Sequence, residues 1–208
     1  MSDRDESNLS DTENATLVRK RPRPGERRLQ ILQTLAAMLE QPGAERVTTA
    51  GLAAKIGVSE AALYRHFASK AQMFEGLIDF VDQSVIGLIR QVTDREPAGP
   101  QQAGRIVALL LQFAEKNPGM SRVMIGDALV LEHERLQERI NLLFDKIEAQ
   151  LRQSLRDANA ASATPTVDTQ VQASLLVAFM QGRLQRFARS GFKRLPSEHL
   201  QAALARVL

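Results

Sequence analysis

The sequence predicts an all-α fold in which a small N-terminal helix-turn-helix unit is joined to a longer helical body. Three observations lead there. Leu, Ala, Gln, Arg and Glu dominate long stretches, whereas Val, Ile and Thr never gather into the short alternating runs of half-buried strands. Apolar residues recur at helical spacing in several separate segments. Between residues 48 and 70, two short stretches of this kind flank a glycine, as two helices meeting at a tight turn require.

The 208 residues are 44% hydrophobic but only 4% aromatic, with no Trp and one Tyr, so the core is expected to be aliphatic. The organisation expected is an arm over 1–24, a DNA-binding unit over 25–70 and a helical body over 71–208. Residues 1–24 are polar and acidic, then basic with Pro22 and Pro24, and read as disordered. Helix 1 follows Gly25, with Leu29, Leu32, Leu35, Ala36 and Leu39 on one face, and stops at Pro42-Gly43. Short helices are expected at about Ala50–Ile56 and Ser59–Phe67, split by Gly57-Val58. Ser69 is placed to cap a long helix running to about Glu96, whose buried stripe is Phe74, Leu77, Ile78, Val81, Val85, Leu88 and Val92.

Beyond that helix, the chain breaks at Pro97–Pro100 and again at Asn117-Pro118-Gly119, with the apolar run Ile106–Ala114 between them. The longest segment is expected from Gly126 to about Ala158, where Leu129, Leu136, Ile140, Leu143, Ile147 and Leu151 keep a spacing close to a heptad. Ala160–Thr166 reads as a loop, Val171–Ser190 as helix, and a short helix follows Pro196.

Several function classes drop out. Without Cys there is no disulfide, thiol catalysis or Cys-type zinc site. No apolar run approaches the roughly 18 residues of a membrane span, and residues 1–18 do not resemble a signal peptide, so a cytoplasmic location is expected. There is no phosphate-cradling glycine loop, nucleophile elbow or usable His–acid pair, so neither catalysis nor a cofactor is expected. His133 and His199 are isolated, and no metal site is expected from them.

Charge is unevenly spread. Residues 1–18 carry five acids against Arg4, a net −4, whereas residues 19–70 carry ten bases against four acids, a net +6. Such a segment is either an ordinary solvated run or a surface for a polyanion. The residues within it favour the second. Ala53 must be small where the second short helix crosses above the first, and Gly57 supplies the turn. Ile56, Val58 and Leu63 fill the small core, while Thr48, Thr49 and Ser59 offer capping hydroxyls. On the second short helix Leu63 and Phe67 point inward, leaving Ser59, Glu60, Ala62, Arg65 and His66 to face a major groove. The Tyr64 hydroxyl and Lys70, beside a helix N-terminus, suit phosphate.

The run Thr48-Thr-Ala-Gly-Leu-Ala-Ala-Lys-Ile-Gly-Val-Ser59 followed by Leu63-Tyr-Arg-His-Phe-Ala-Ser-Lys70 resembles the TetR family. The resemblance implies a DNA-binding unit of three helices and a helical body that dimerises and often holds a ligand pocket. It assigns phosphate contacts to Thr48, Tyr64, His66 and Lys70, and base reading to the face around Ser59, Glu60, Ala62 and Arg65. Arg46 and Thr49 complete the candidate DNA-binding set.

Further runs resemble one branch of that family, the nucleoid occlusion factors. They are Arg46-Val-Thr-Thr-Ala, Val58-Ser-Glu-Ala-Ala-Leu-Tyr-Arg-His-Phe67, Glu115-Lys-Asn-Pro-Gly119, Arg135-Leu-Gln-x-Arg-Ile-Asn141, Ile147-Glu-Ala-Gln-Leu-Arg-Gln153 and Arg186-Phe-Ala-Arg-Ser-x-Phe-Lys193. This narrower resemblance implies a nucleoid-associated homodimer that binds palindromic chromosomal sites and, on DNA, antagonises polymerisation of the division GTPase FtsZ. The rival is a ligand-responsive repressor, which needs a cavity with orienting polar groups.

Two helix pairs carry the remaining expectations. The long helix at 126–158 and the helix at 171–190 are the expected dimer surface, with Phe179, Met180, Leu184 and Phe187 near one face of the latter. Gly182 marks either a close crossing or a tolerated glycine. Phe80 and Ile86 lie off the long-helix stripe, so they either pack on a neighbouring helix or form an exposed patch. Phe80 with Leu109, Lys116 and Asn117 is the expected FtsZ surface, since the resemblance implies an acidic and apolar FtsZ tail. Arg183, Arg186 and Arg189 form either a solvated face or an acidic-partner contact.

Overall fold

The computed structural model describes residues 25–41, 47–160 and 168–208. The expected arm, and Arg46 among the expected DNA contacts, lie outside them. Among the described residues the regular structure is helical: α1 (Glu26–Leu39), α2 (Thr49–Ile56), α3 (Glu60–Tyr64), α4 (Lys70–Thr93), α5 (Pro100–Lys116), α6 (Pro118–Met124), α7 (Glu134–Ala160), α8 (Thr169–Arg189) and α9 (Leu200–Leu204).

Helix α1 buries Ile31, Leu35 and Leu39, a four-residue spacing. The expected face was displaced, because Leu29 is exposed and Ile31 takes the core position. The half-buried Leu32 fits against Gly76 of α4, where a Cβ would meet its Cδ2 at 3.0 Å. Helix α4 starts as the sequence indicates: the Ser69 hydroxyl accepts the Gln72 N–H at 3.2 Å, and the Gln72 side chain accepts the Ala68 N–H at 2.8 Å. These bonds satisfy donors that a helix start leaves open. Its stripe runs through Phe74, Leu77, Ile78, Val81, Val85, Ile89 and Val92. Ile89 replaces the expected Leu88, because the step from Val85 to 89 stays nearer the 3.6-residue period than the step to 88. The helix ends at Thr93, short of Glu96, where the Asp94 N–H bonds back to Arg90 and Val92.

The break at Asn117 is a tight kink. The Asn117 amide donates to the Phe113 carbonyl at 2.8 Å, the Ser121 hydroxyl donates to the Ala114 carbonyl at 3.0 Å, and α6 starts at once on Pro118. The long segment expected from Gly126 is divided. Gly126, at φ 79°, stops α6, a single 3₁₀ turn follows at Asp127–Leu129, and α7 begins only at Glu134. His133 caps it, its Nδ1 accepting the Arg135 N–H at 3.3 Å. Leu129 therefore belongs to the turn, while Leu136, Ile140, Leu143, Ile147 and Leu151 form the buried stripe of α7.

Helices α4 and α7 run parallel and are joined edge to edge by charge pairs. Arg135 donates to Glu75 at 2.7 Å, Arg139 to Asp79 at 2.5 Å and Lys146 to Asp82 at 2.8 Å. Helix α8 returns along α7 as an antiparallel hairpin, started by Asp168, whose carboxylate accepts the Gln170 and Val171 N–H groups. Its Met180, Leu184 and Phe187 turn into the protomer's own core, with Phe179 half-buried, so the expected apolar face points inward. The outward stripe is Val171, Leu175, Ala178 and Gly182. Arg183 donates to the Glu198 carbonyl at 2.8 Å and covers the Phe179 ring, while Arg186 and Arg189 remain exposed. One aliphatic core joins α1–α3 to the body across residue 70, so the two parts are mechanically continuous. No described helix is long and apolar enough to cross a membrane.

Candidate nucleic-acid interface

The sequence builds the corner between α2 and α3 one bond at a time. The Thr48 hydroxyl accepts the Gly51 N–H at 3.1 Å and starts α2. Gly57, at φ 76° and ψ 43°, ends it in the left-handed region that costs an L side chain steric strain. Its N–H reaches the Ala54 carbonyl at 3.1 Å, and the Val58 N–H reaches the Ala53 carbonyl at 3.0 Å. These two bonds form a Schellman closure. The Ser59 hydroxyl then accepts the Ala62 N–H at 3.3 Å and starts α3. Leu52, Ala53 and Leu63 are buried where the helices cross, and Phe67 closes the corner below.

This geometry leaves an exposed edge carrying Thr48, Ser59, Glu60, Tyr64, Arg65 and His66, with Thr49 and Ala62 half-buried beside it. The hydroxyls divide into two kinds. Those of Thr48 and Ser59 accept backbone N–H groups, which leaves their own protons for an acceptor such as phosphate. Thr49 instead donates its proton to the Glu60 carboxylate at 2.6 Å. Lys70 is partly buried and its ammonium bonds to Glu132, in the turn before α7. Arg28, not picked out by sequence pattern, fixes the end of α3: it donates to the His66 carbonyl at 2.8 Å and lies 4.0 Å over the Phe67 ring. An arginine in an amphipathic helix gives no local sign of which ring it will cover.

A second exposed feature lies on the body. Phe80 of α4 is 46% exposed, and its ring centroid stands 6.4 Å from that of Phe113 on α5. Leu109, Phe113 and Lys116 share one face of α5 at 4- and 3-residue spacing. Leu109 and Phe113 are half-buried and Lys116 is exposed. Asn117 spends its amide on the Phe113 carbonyl and so fixes the end of this face. Phe113 was missed in the sequence, although its spacing between Leu109 and Lys116 is the signal that finds it. Ile86 packs against the core instead.

Residues 31–77 match the family of bacterial regulatory proteins called tetR, and residues 101–206 match a Tetracyclin repressor-like, C-terminal domain of SlmA-like type. The chain is 51% identical over 177 residues to the nucleoid occlusion factor SlmA of Idiomarina loihiensis, covering 85% of this chain and 90% of that protein. It is 49% identical over 176 residues to the same factor from Shewanella woodyi, covering 84% and 89%.

The chain belongs to the SlmA family.

Solved structures agree on the fold. The fatty acid degradation regulator FadR from Bacillus halodurans superposes with a TM-score of 0.71 at 14% identity, covering 90% of this chain and 97% of that one. The TetR-family regulator PfmR from Thermus thermophilus superposes at 0.68 and 20% identity, covering 86% and 94%. A member of the SlmA family is a DNA-binding regulator of nucleoid occlusion and not an enzyme.

Proposed function

We propose that the chain binds palindromic chromosomal sites as a nucleoid-associated homodimer and, when bound, antagonises assembly of FtsZ. In this reading α3 enters the major groove, with Thr48, Tyr64, His66 and Lys70 on the backbone and Ser59, Glu60, Ala62 and Arg65 over base edges, Arg46 and Thr49 completing the DNA-binding set. One corner covers one half-site, so a palindrome requires two copies about one helical turn apart. The outward stripe Val171, Leu175, Ala178 and Gly182 on α8 has the 4-3-4 spacing that a second copy would cover.

The observation that carries the FtsZ part is the half-exposed Phe80–Phe113 pair, flanked by Leu109 and the Lys116 cation, on a chain of the SlmA family. An aromatic pair beside a positive charge suits an acidic segment with apolar anchors. A ligand-responsive repressor would need a roomy cavity. A cleft of about 580 Å³ does lie beside α5 and α9, lined by Glu96, Gln101, Gly104, Arg105, Leu204 and Leu208. The interior of the body between α4, α5, α7 and α8 is filled. Val81, Val85, Ile106, Val107, Leu111, Leu136, Ile140 and Leu176 fill the space between α4, α5, α7 and α8, each at most 2% exposed. A cleft of about 380 Å³ lies between α4 and α7, lined by charged Asp82, Arg139, Asp145 and Lys146 along with Ile78, Leu142 and Ala149.

Fluorescence anisotropy of labelled FtsZ tests the reading. Saturable binding that tightens when the chain is loaded on a selected DNA fragment is expected. Absence of binding with and without DNA would return the chain to a DNA-binding regulator without this partner.

A further inference from the structure

We propose that Glu60 selects one base in each half-site, and that Thr49 is the positioning residue that aims it. This rests on the reading that α3 lies in the major groove.

The first turn of α3 offers few groups able to reach a base edge. Ser59 is short and its hydroxyl is held by the Ala62 N–H, keeping only its proton and one lone pair, and Ala61 and Ala62 end at a methyl. Glu60 is the long polar side chain there, it is exposed, and it is the single acid between Val47 and Lys70. A carboxylate at a DNA interface is disfavoured by the surrounding phosphates. A donor on one particular base offsets that cost where it is present, and where it is missing the repulsion stands.

Thr49 settles which way the carboxylate points. Its hydroxyl donates to Oε2 at 2.6 Å, tying the start of α3 to the start of α2. The other oxygen and the remaining lone pairs stay open, and all of them are acceptors. A side chain already held in one arrangement loses less entropy on binding, so its preference is expressed more fully. In the major groove an acceptor-only group is matched by the cytosine N4 amine and repelled by guanine N7 and O6 and thymine O4. Adenine offers N6 beside the N7 acceptor, an arrangement that suits an amide better than a carboxylate. The chemistry therefore points to cytosine.

The same bond could serve only to brace the two helices, and the variants separate these roles. Glu60→Gln keeps an acceptor for Thr49 but gains a donor. Glu60→Ala removes both functions, Thr49→Val removes the aim, and Thr49→Ser restores it. Each is used to select sites from a randomised DNA pool, with thermal melting measured in parallel.

The wild type is expected to require cytosine at one position of each half-site. Glu60→Ala should lose about tenfold discrimination at that position alone, and Glu60→Gln should move the preference toward adenine. Thr49→Val should relax it, and Thr49→Ser should keep it. Wild-type preference at every position in both Glu60 variants, or a uniform loss of affinity for all sequences with a lowered melting temperature, would overturn the proposal. A pool from which the wild type selects nothing would overturn the groove reading and this proposal together, whereas unaltered selection by the variants overturns this proposal alone.

Discussion

Lys70, the first residue of α4, bonds its ammonium to the carboxylate of Glu132, 62 positions later in the turn that leads into α7. The pair joins the edge of the DNA-binding corner to the body, and Glu132 is the more buried partner, with 12% of its side chain exposed against 31% for Lys70. A cation expected to meet phosphate is thus already engaged before DNA arrives. Glu132→Gln should free it, raising DNA affinity roughly two- to fivefold at low salt and steepening the salt dependence by up to about 0.9 in log–log slope. Lys70→Ala should flatten that slope by a similar amount. It also leaves the largely buried carboxylate without its cation, at about 1–2 kcal/mol. The double variant should recover most of that stability. Salt-titrated binding together with thermal melting checks all three, and weaker binding by Glu132→Gln would refute the competition.

Gly119 is where α6 passes against the backbone of α1. A Cβ there would stand 2.2 Å from the Ala36 carbonyl oxygen, which is backbone and cannot rotate away. Gly119→Ala should therefore cost at least about 2 kcal/mol, read as a fall in melting temperature. Gly87→Ala is the control, since a Cβ at that position meets nothing within 4 Å.

Leu175 is 55% exposed in the middle of the outward stripe on α8. Leu175→Asp should convert a dimer to a monomer in light scattering while leaving the helical circular dichroism unchanged. Affinity for a full palindrome should fall at least tenfold toward that of a half-site, because the two corners no longer bind as one unit. A dimer that survives this change would place the twofold elsewhere.

Phe80→Asp should leave the folding stability within about 1 kcal/mol of the wild type, read by thermal melting, because the ring is half in solvent. FtsZ binding should fall at least tenfold, with DNA affinity unchanged. Unaltered FtsZ binding would remove this face from the account.

Much of this was legible in the sequence, and what was not has a physical cause. Thr48, Gly57, Ser59 and Ser69 announce the corner because caps and a left-handed turn are local demands, met by few residue types. Leu136 to Leu151 announce α7 by period alone. The failures are tertiary. Leu29 fits the face of α1 as a pattern, but nothing in the pattern says that the body leaves it uncovered. Gly119 reads as a helix breaker, yet it lies inside a new helix because another backbone needs the room. Lys70 carries the right chemistry for phosphate and Thr49 that for a helix cap, but their partners Glu132 and Glu60 are chosen by the fold.

DNA-dependent antagonism of FtsZ is read most directly by sedimentation of FtsZ polymers with GTP, in the presence of the chain and with or without a DNA fragment that it has selected. Pelleted FtsZ should fall when both chain and fragment are present, fall less with the chain alone, and be restored by Phe80→Asp. Equal pellets under all of these conditions would contradict that antagonism.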